Sequence, residues 1–153
     1  MYRRKIFNTI IAVLLLSVLS CAQQNFKSIT VEQLQKNIAT DSTLVVLDVR
    51  TPQELKGPLG QIKGVVNIPV QNLEERINEL NKYKDRPIMV ICRSGHRSGI
   101  ATPILIKHKF KATNVLGGML AWDKMIEKQK MMKNKKMMKK QNMMRNKKIM
   151  KNK

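Results

Sequence analysis

At 153 residues the chain has room for one domain of ordinary size, and both ends differ from the middle, so the core must form from roughly 100 residues. Its net charge of +20 would point to a polyanion if it covered a folded face, but residues 1–21 carry three Lys/Arg and no acids, residues 22–123 carry 14 against 9, and residues 124–153 carry 13 against one. The middle is therefore only mildly basic, and with aromatics at 4% there is no stacking platform for single strands, so specific nucleic-acid binding is not expected.

The first feature in chain order has the layout of a targeting segment. Arg3, Arg4 and Lys5 precede an apolar run of 14 residues from Ile6 to Leu19, interrupted by Asn8 and Thr9. A spanning helix needs about 20 apolar residues, so the run fits a removable secretory signal better than an anchor. The sequence Val18-Leu19-Ser20-Cys21 resembles the lipobox of bacterial lipoproteins, although Leu19 is bulkier than usual at its place. That resemblance implies lipidation at Cys21, a protein facing the periplasm and, with Ala22 following, sorting to the outer membrane. Ordinary cleavage nearby is the alternative. The chain's only other cysteine is Cys92, so a lipidated Cys21 leaves one thiol and no structural disulfide in the mature chain. About six residues would separate that anchor from the first strand, placing the domain within roughly 20 Å of the bilayer.

Residues 22–128 read as the domain. Thr30-Val31-Glu32-Gln33 fits a capping box, with Val31, Leu34 and Ile38 on one helix face. Leu44–Val49 and Pro87–Cys92 are β-favouring runs apolar enough to be buried on both faces, while Val65–Ile68 and Thr113–Leu116 are shorter strand candidates. Between them the sequence predicts helices: one after a possible Asn72 cap, using Leu73, Ile77 and Leu80, and one over Ser98–Phe110, using Ile100, Ile104 and Leu105 with Pro103 about one turn in. Alternating strands and helices predict an α/β domain with a mostly parallel central sheet and helices on both faces. Ligands bind such sheets at the carboxyl ends of strands, where Asp48 and Cys92 fall.

Cys92-Arg93-Ser94-Gly95-His96-Arg97-Ser98 lies between a strand and a helix, so its amides can curl around the sulfur with the helix start behind them. Oriented amides, the helix dipole, Arg93 and Arg97 all favour thiolate over thiol, and the same cradle suits a persulfide. Gly95 permits the curl. Asp48 and Arg50 are expected to pair with each other or with loop backbone rather than to perform chemistry. His96 is either an acid, base or field contributor or a solvated side chain. Trp122 reads as packing of the last helix, and His108, with no partner at metal-ligand spacing, as a surface residue.

The loop, together with Asp48-Val49-Arg50-Thr51-Pro52-Gln53-Glu54, Gly60-Gln61-Ile62-Lys63-Gly64-Val65-Val66-Asn67-Ile68-Pro69 and Gly117-Gly118-Met119-Leu120-Ala121-Trp122, resembles the rhodanese domains in order and spacing over residues 27–128. The resemblance implies the rhodanese-like fold and a sulfurtransferase. Cys92 would be the nucleophile, and the loop from Arg93 to Ser98 would hold the persulfide and an anionic donor such as thiosulfate. A thiol or cyanide-like acceptor would collect the sulfur, with no metal or organic cofactor and with a monomer as the working unit. Two departures fall beside the site: Gln61 stands where the family usually has His, and Pro58-Leu59 lengthens the preceding loop by about two residues. A Cys-dependent phosphatase or arsenate reductase would place Arg six positions after Cys, where this chain has Ser98. A non-catalytic binding module of the same fold is the other alternative.

From Met131 the chain repeats loosely in sixes, beginning Met-Met-Lys-Asn-Lys-Lys. At about 100° per residue each repeat turns the methionine pair by about 240°, so no single apolar stripe forms. Lysine repulsion over residues 129–153 predicts disorder or frayed helix, and truncation after Gln129 is expected to spare activity.

Overall fold

A computed structural model describes residues 26–151 of the chain. The targeting segment and Cys21 lie outside the described residues. Five strands form one sheet: β1 (Ser28–Ile29), β2 (Val45–Asp48), β3 (Val66–Asn67), β4 (Pro87–Ile91) and β5 (Lys111–Val115), in the order β1-β5-β4-β2-β3 and parallel throughout. The helices are α1 (Val31–Thr40), α2 (Pro52–Leu55), α3 (His96–Lys107) and α4 (Gly118–Lys151).

Side chains alternate across the strands and so build a core on each face. On one face, Val45, Leu47, Val49, Ile88, Val90 and Ala112 meet Leu73, Ile77 and Leu80 from the β3–β4 connection and Ala101 and Leu105 from α3. On the other, Val46, Met89, Ile91 and Val115 meet Val31 and Leu34 of α1 and Met119 and Met125 of α4. Helices therefore cover both faces, the arrangement expected for strands with near-continuous apolar runs.

Local chemistry sets the helix starts. Thr30 accepts from the Gln33 amide while the Gln33 side chain accepts from the Thr30 amide, which makes the expected capping box. A second box, Thr51 with Glu54, starts the short α2 with Pro52 at its first position.

Four details differ from the sequence expectation. The region after Asn72 winds as two 3-10 segments, Val70–Asn72 and Ile77–Tyr83, rather than an α-helix capped by Asn72. Leu73, Ile77 and Leu80 are buried all the same, because a four-then-three spacing can be satisfied without regular α turns. In α3 the inward face is Ser98, Ala101, Thr102 and Leu105, a run of i, i+3, i+4 and i+7 that leaves Ile100 exposed and Ile104 half-buried. Ile38 lies at the outer edge of α1, exposed, since Val31 and Leu34 already fill the contact with the sheet. Finally, α4 continues as helix to Lys151 where disorder or frayed helix was expected. Its tail contains no Gly or Pro and is rich in Met and Lys, both good helix formers. Its methionines from Met131 onward are exposed, and the last side-chain bridge to the domain is a pair of amide hydrogen bonds between Gln129 and Gln35.

The chain runs from β2 outward to β3, then returns to the opposite side of β2 to form β4. The crevice at the carboxyl ends of β2 and β4 is thus the point where the order of strands reverses, the place where open α/β sheets bind ligands.

Candidate active site

Asp48 ends β2, and Cys92 follows the last residue of the neighbouring β4, with Asp48 in register with Ile91. The Cys92 residue is 1% exposed and joins the first apolar cluster, yet two polar groups reach its sulfur: the Gly95 amide donates to Sγ at 3.1 Å and the Ser98 hydroxyl lies 3.5 Å from it. Ser98 also donates to the Gly95 carbonyl at 3.0 Å, which ties the end of the loop to its middle. Gly95 is the N-cap of α3 with φ of +98°, a conformation that a side chain would strain. The sulfur therefore sits at the positive end of a 12-residue helix, in contact with one oriented amide.

The start of α4 holds the other side of the loop. The amides of Met119 and Leu120 donate to the carbonyls of Cys92 and Arg93 at 2.8 and 2.9 Å. Gly118, with φ of +55°, makes that approach possible: a Cβ there would lie 2.3 Å from the Cys92 carbonyl oxygen. Nothing local to Gly117-Gly118 in the sequence shows that this helix start docks on the distant Cys92 loop.

Two arginine–carboxylate pairs flank the loop. Asp48 and Arg50, both buried, are joined by bonds from Nε at 3.0 Å and Nη2 at 2.7 Å, and Asp48 also accepts from the Arg50 amide. Arg50 then reaches outward to the carbonyls of Gly60 at 2.8 Å and Glu54 at 3.4 Å, so it fastens the 54–60 segment to the strand end. Asn67 closes the same turn, donating to the Asp48 and Arg50 carbonyls at 2.8 Å each.

Arg97 forks onto Glu54 with bonds of 2.7 and 2.6 Å. The guanidinium of Arg97 holds the Glu54 carboxyl well below its ordinary range, at about 2, with the Thr51 amide assisting against partial burial. The pKa of Arg97 is raised in turn, first by its hydrogen bonds to Glu54 and less by the charges of Glu54, Cys92 and Asp48. This corrects one expectation: Arg97 closes the loop as a partner of Glu54, and its guanidinium is not free to grip an anion by itself. Glu54 was quoted in the sequence with no role, and its one local signal was the capping box with Thr51. Arg93, Ser94 and His96 are exposed on the outer side of the loop.

The fold and site together define an α/β domain whose cysteine loop, with one amide on the sulfur, lies at the reversal point of a parallel sheet. The profile described as the rhodanese-like domain matches residues 30–125. This chain belongs to that family. It is 36% identical over 97 residues to a putative sulfurtransferase, YtwF, of Bacillus subtilis, covering 63% of this chain and 90% of that one. It is 39% identical over 95 residues to a putative sulfur carrier protein, YrkF, of the same organism, covering 61% of this chain; it spans only about half, 49%, of that relative's length. Among solved structures, a rhodanese-related protein from Thermoplasma volcanium superposes with a TM-score of 0.58 at 34% identity, over 65% of this chain and 92% of that one.

Proposed function

We propose that the chain is a sulfurtransferase that carries sulfane sulfur as a persulfide on Cys92. The observation that carries this reading is the contact of the Gly95 amide with the Cys92 sulfur at 3.1 Å, at the head of α3, which places an oriented donor on the one cysteine of the loop. The thiolate attacks the outer sulfur of a sulfane donor such as thiosulfate. A sulfur–sulfur bond forms to Cys92 as the donor's own sulfur–sulfur bond breaks, and sulfite leaves with the electron pair. A thiol or cyanide-like nucleophile then takes the terminal sulfur and restores the thiolate. Names of relatives such as putative sulfurtransferase support this chemistry.

Intact-mass measurement after exposure to thiosulfate tests the reading: the chain should gain the mass of one sulfur atom, and Cys92→Ser should gain nothing. An unchanged wild-type mass would leave a binding module. The six-residue loop ends at Arg97, which is bound to Glu54, and the next position, where phosphatase loops need an arginine, holds buried Ser98. Phosphate-ester and arsenate turnover are therefore expected to be absent. Export and lipid attachment at Cys21, with the domain facing the periplasm, complete the proposal. They rest on the basic and apolar pattern of residues 1–21. Fatty-acid labelling of the chain in its host, lost in Cys21→Ser, tests them.

A further inference from the structure

Helix α4 meets the domain with one face and turns the other to solvent along its length. Met119, Trp122 and Ile126 pack into the second apolar cluster and Gln129 bonds to Gln35 of α1, a 3-4-3 spacing that marks the inward face. On the opposite face Leu120, Lys124, Met131, Lys135, Met138 and Arg145 recur at intervals of three, four or seven residues, which at about 100° per residue keeps them on one stripe. All six are exposed, Leu120 at 37%, Met131 at 66% and Met138 at 64%. Glu127 is the one acid beside them, and residues 130–151 hold nine lysines, one arginine and no acid. Among the described residues no ion pair involves α4. The inward side of the tail also carries charge, on Lys133, Lys140 and Lys147, but it continues the side on which the domain sits, so a flat partner approaching there meets the domain first. The outward stripe is open to a flat surface over about 38 Å, from Leu120 to Arg145.

We propose that this outward stripe seats the protein on an anionic lipid bilayer, independently of the sulfur chemistry and of any attachment at Cys21. Each lysine or arginine beside such a surface is worth about a fivefold gain in binding. Leu120, Met131 and Met138 lie between the charges, where their flexible apolar ends can enter the headgroup layer while the cationic groups stay at the lipid phosphates. A phosphate backbone offers those three side chains nothing. Nucleic acid fits poorly on other grounds too: base edges and phosphate forks are met best by arginine and unpaired bases by aromatic rings, whereas residues 130–151 have a single arginine and no aromatic. Nor do the thioethers make a metal site, because Met131 and Met138 stand about 10 Å apart along the axis, too far to share an ion.

Co-sedimentation of the full chain with vesicles tests the proposal, using phosphatidylcholine alone and with about one-third phosphatidylglycerol, in salt of about 0.1 M. Retention on the neutral vesicles reads any contribution of the apolar segment 6–19, and the gain on adding the anionic lipid reads the helix. That gain should be about a hundredfold or more. The triple variant Lys124→Gln, Lys135→Gln, Arg145→Gln should lose about a hundredfold, three charges at about fivefold each. Lys133→Gln, Lys140→Gln, Lys147→Gln removes the same charge from the inward side and should lose less than tenfold, since those groups stand a helix diameter, about one Debye length, farther from the lipid. Glutamine is a good helix former, so both variants keep the helix. A gain under tenfold, equal losses in the two variants, or tighter retention on duplex DNA than on the anionic vesicles at equal phosphate concentration overturns the proposal.

Discussion

The two arginine–carboxylate pairs beside Cys92 use the same chemistry in different surroundings. Asp48 and Arg50 stand two residues apart with side chains 0% and 1% exposed, and every polar atom of the guanidinium side that faces inward has an oxygen within reach. Glu54 and Arg97 stand 43 residues apart with side chains 30% and 24% exposed. In the first pair both charges have left water, so the cost of desolvation is offset only while the geometry is complete, and losing one partner strands the other. In the second, water screens both charges, and the pair matters less for stability than for where it holds the end of the loop. The buried pair braces the strand end and the 54–60 segment; the exposed pair fastens the cysteine loop to them.

Breaking the buried pair should have the largest effect. Arg50→Ala leaves the Asp48 carboxylate uncompensated and the Gly60 carbonyl without its donor, and should lower unfolding free energy by about 3–5 kcal/mol in denaturant titration; a loss under about 1 kcal/mol would mean that the burial contrast has no energetic content. Glu54→Gln should come next, at about 1 kcal/mol, with a larger proportional fall in the rate of persulfide formation than in stability, because the freed Arg97 no longer fixes the loop. Equal effects on both measures would reduce the pair to a simple structural link.

Acid sharpens the same comparison. The folded-state value of Glu54, about 2, lies below the unfolded carboxyl at about 4.3, so its contribution is complete above that higher value and is lost as pH falls through the lower one. The stability difference between wild type and Glu54→Gln should therefore be flat above about pH 5 and vanish toward pH 2; a difference that persisted at pH 2 would show that the pair is not the source. Salt should give the smallest effect. At 1 M the Debye length is about 3 Å, so the Glu54–Arg97 coupling measured by a double-mutant cycle should drop by a few tenths of a kcal/mol while the Asp48–Arg50 coupling holds.

Features written within a few adjacent residues were legible without coordinates. The apolar runs Leu44–Val49 and Pro87–Cys92 marked the buried parallel strands β2 and β4, Thr30 and Gln33 marked a helix start, and Cys92 through Ser98 marked a strand–loop–helix junction. Each depends on periodicity or capping chemistry that acts over one turn or one pleat, so the chain by itself was enough. Tertiary structure alone decided that Glu54 takes Arg97, that Asn67 closes the turn after β2, that Gly118 lets a late helix cradle the Cys92 carbonyl, and that Arg93 lines one cavity with Pro58 and Leu59. Those partners are brought together by the neighbouring positions of β2, β3 and β4 in the sheet. Strand order follows from how two apolar faces are covered at once, a property of the whole packed domain that no short stretch of residues encodes.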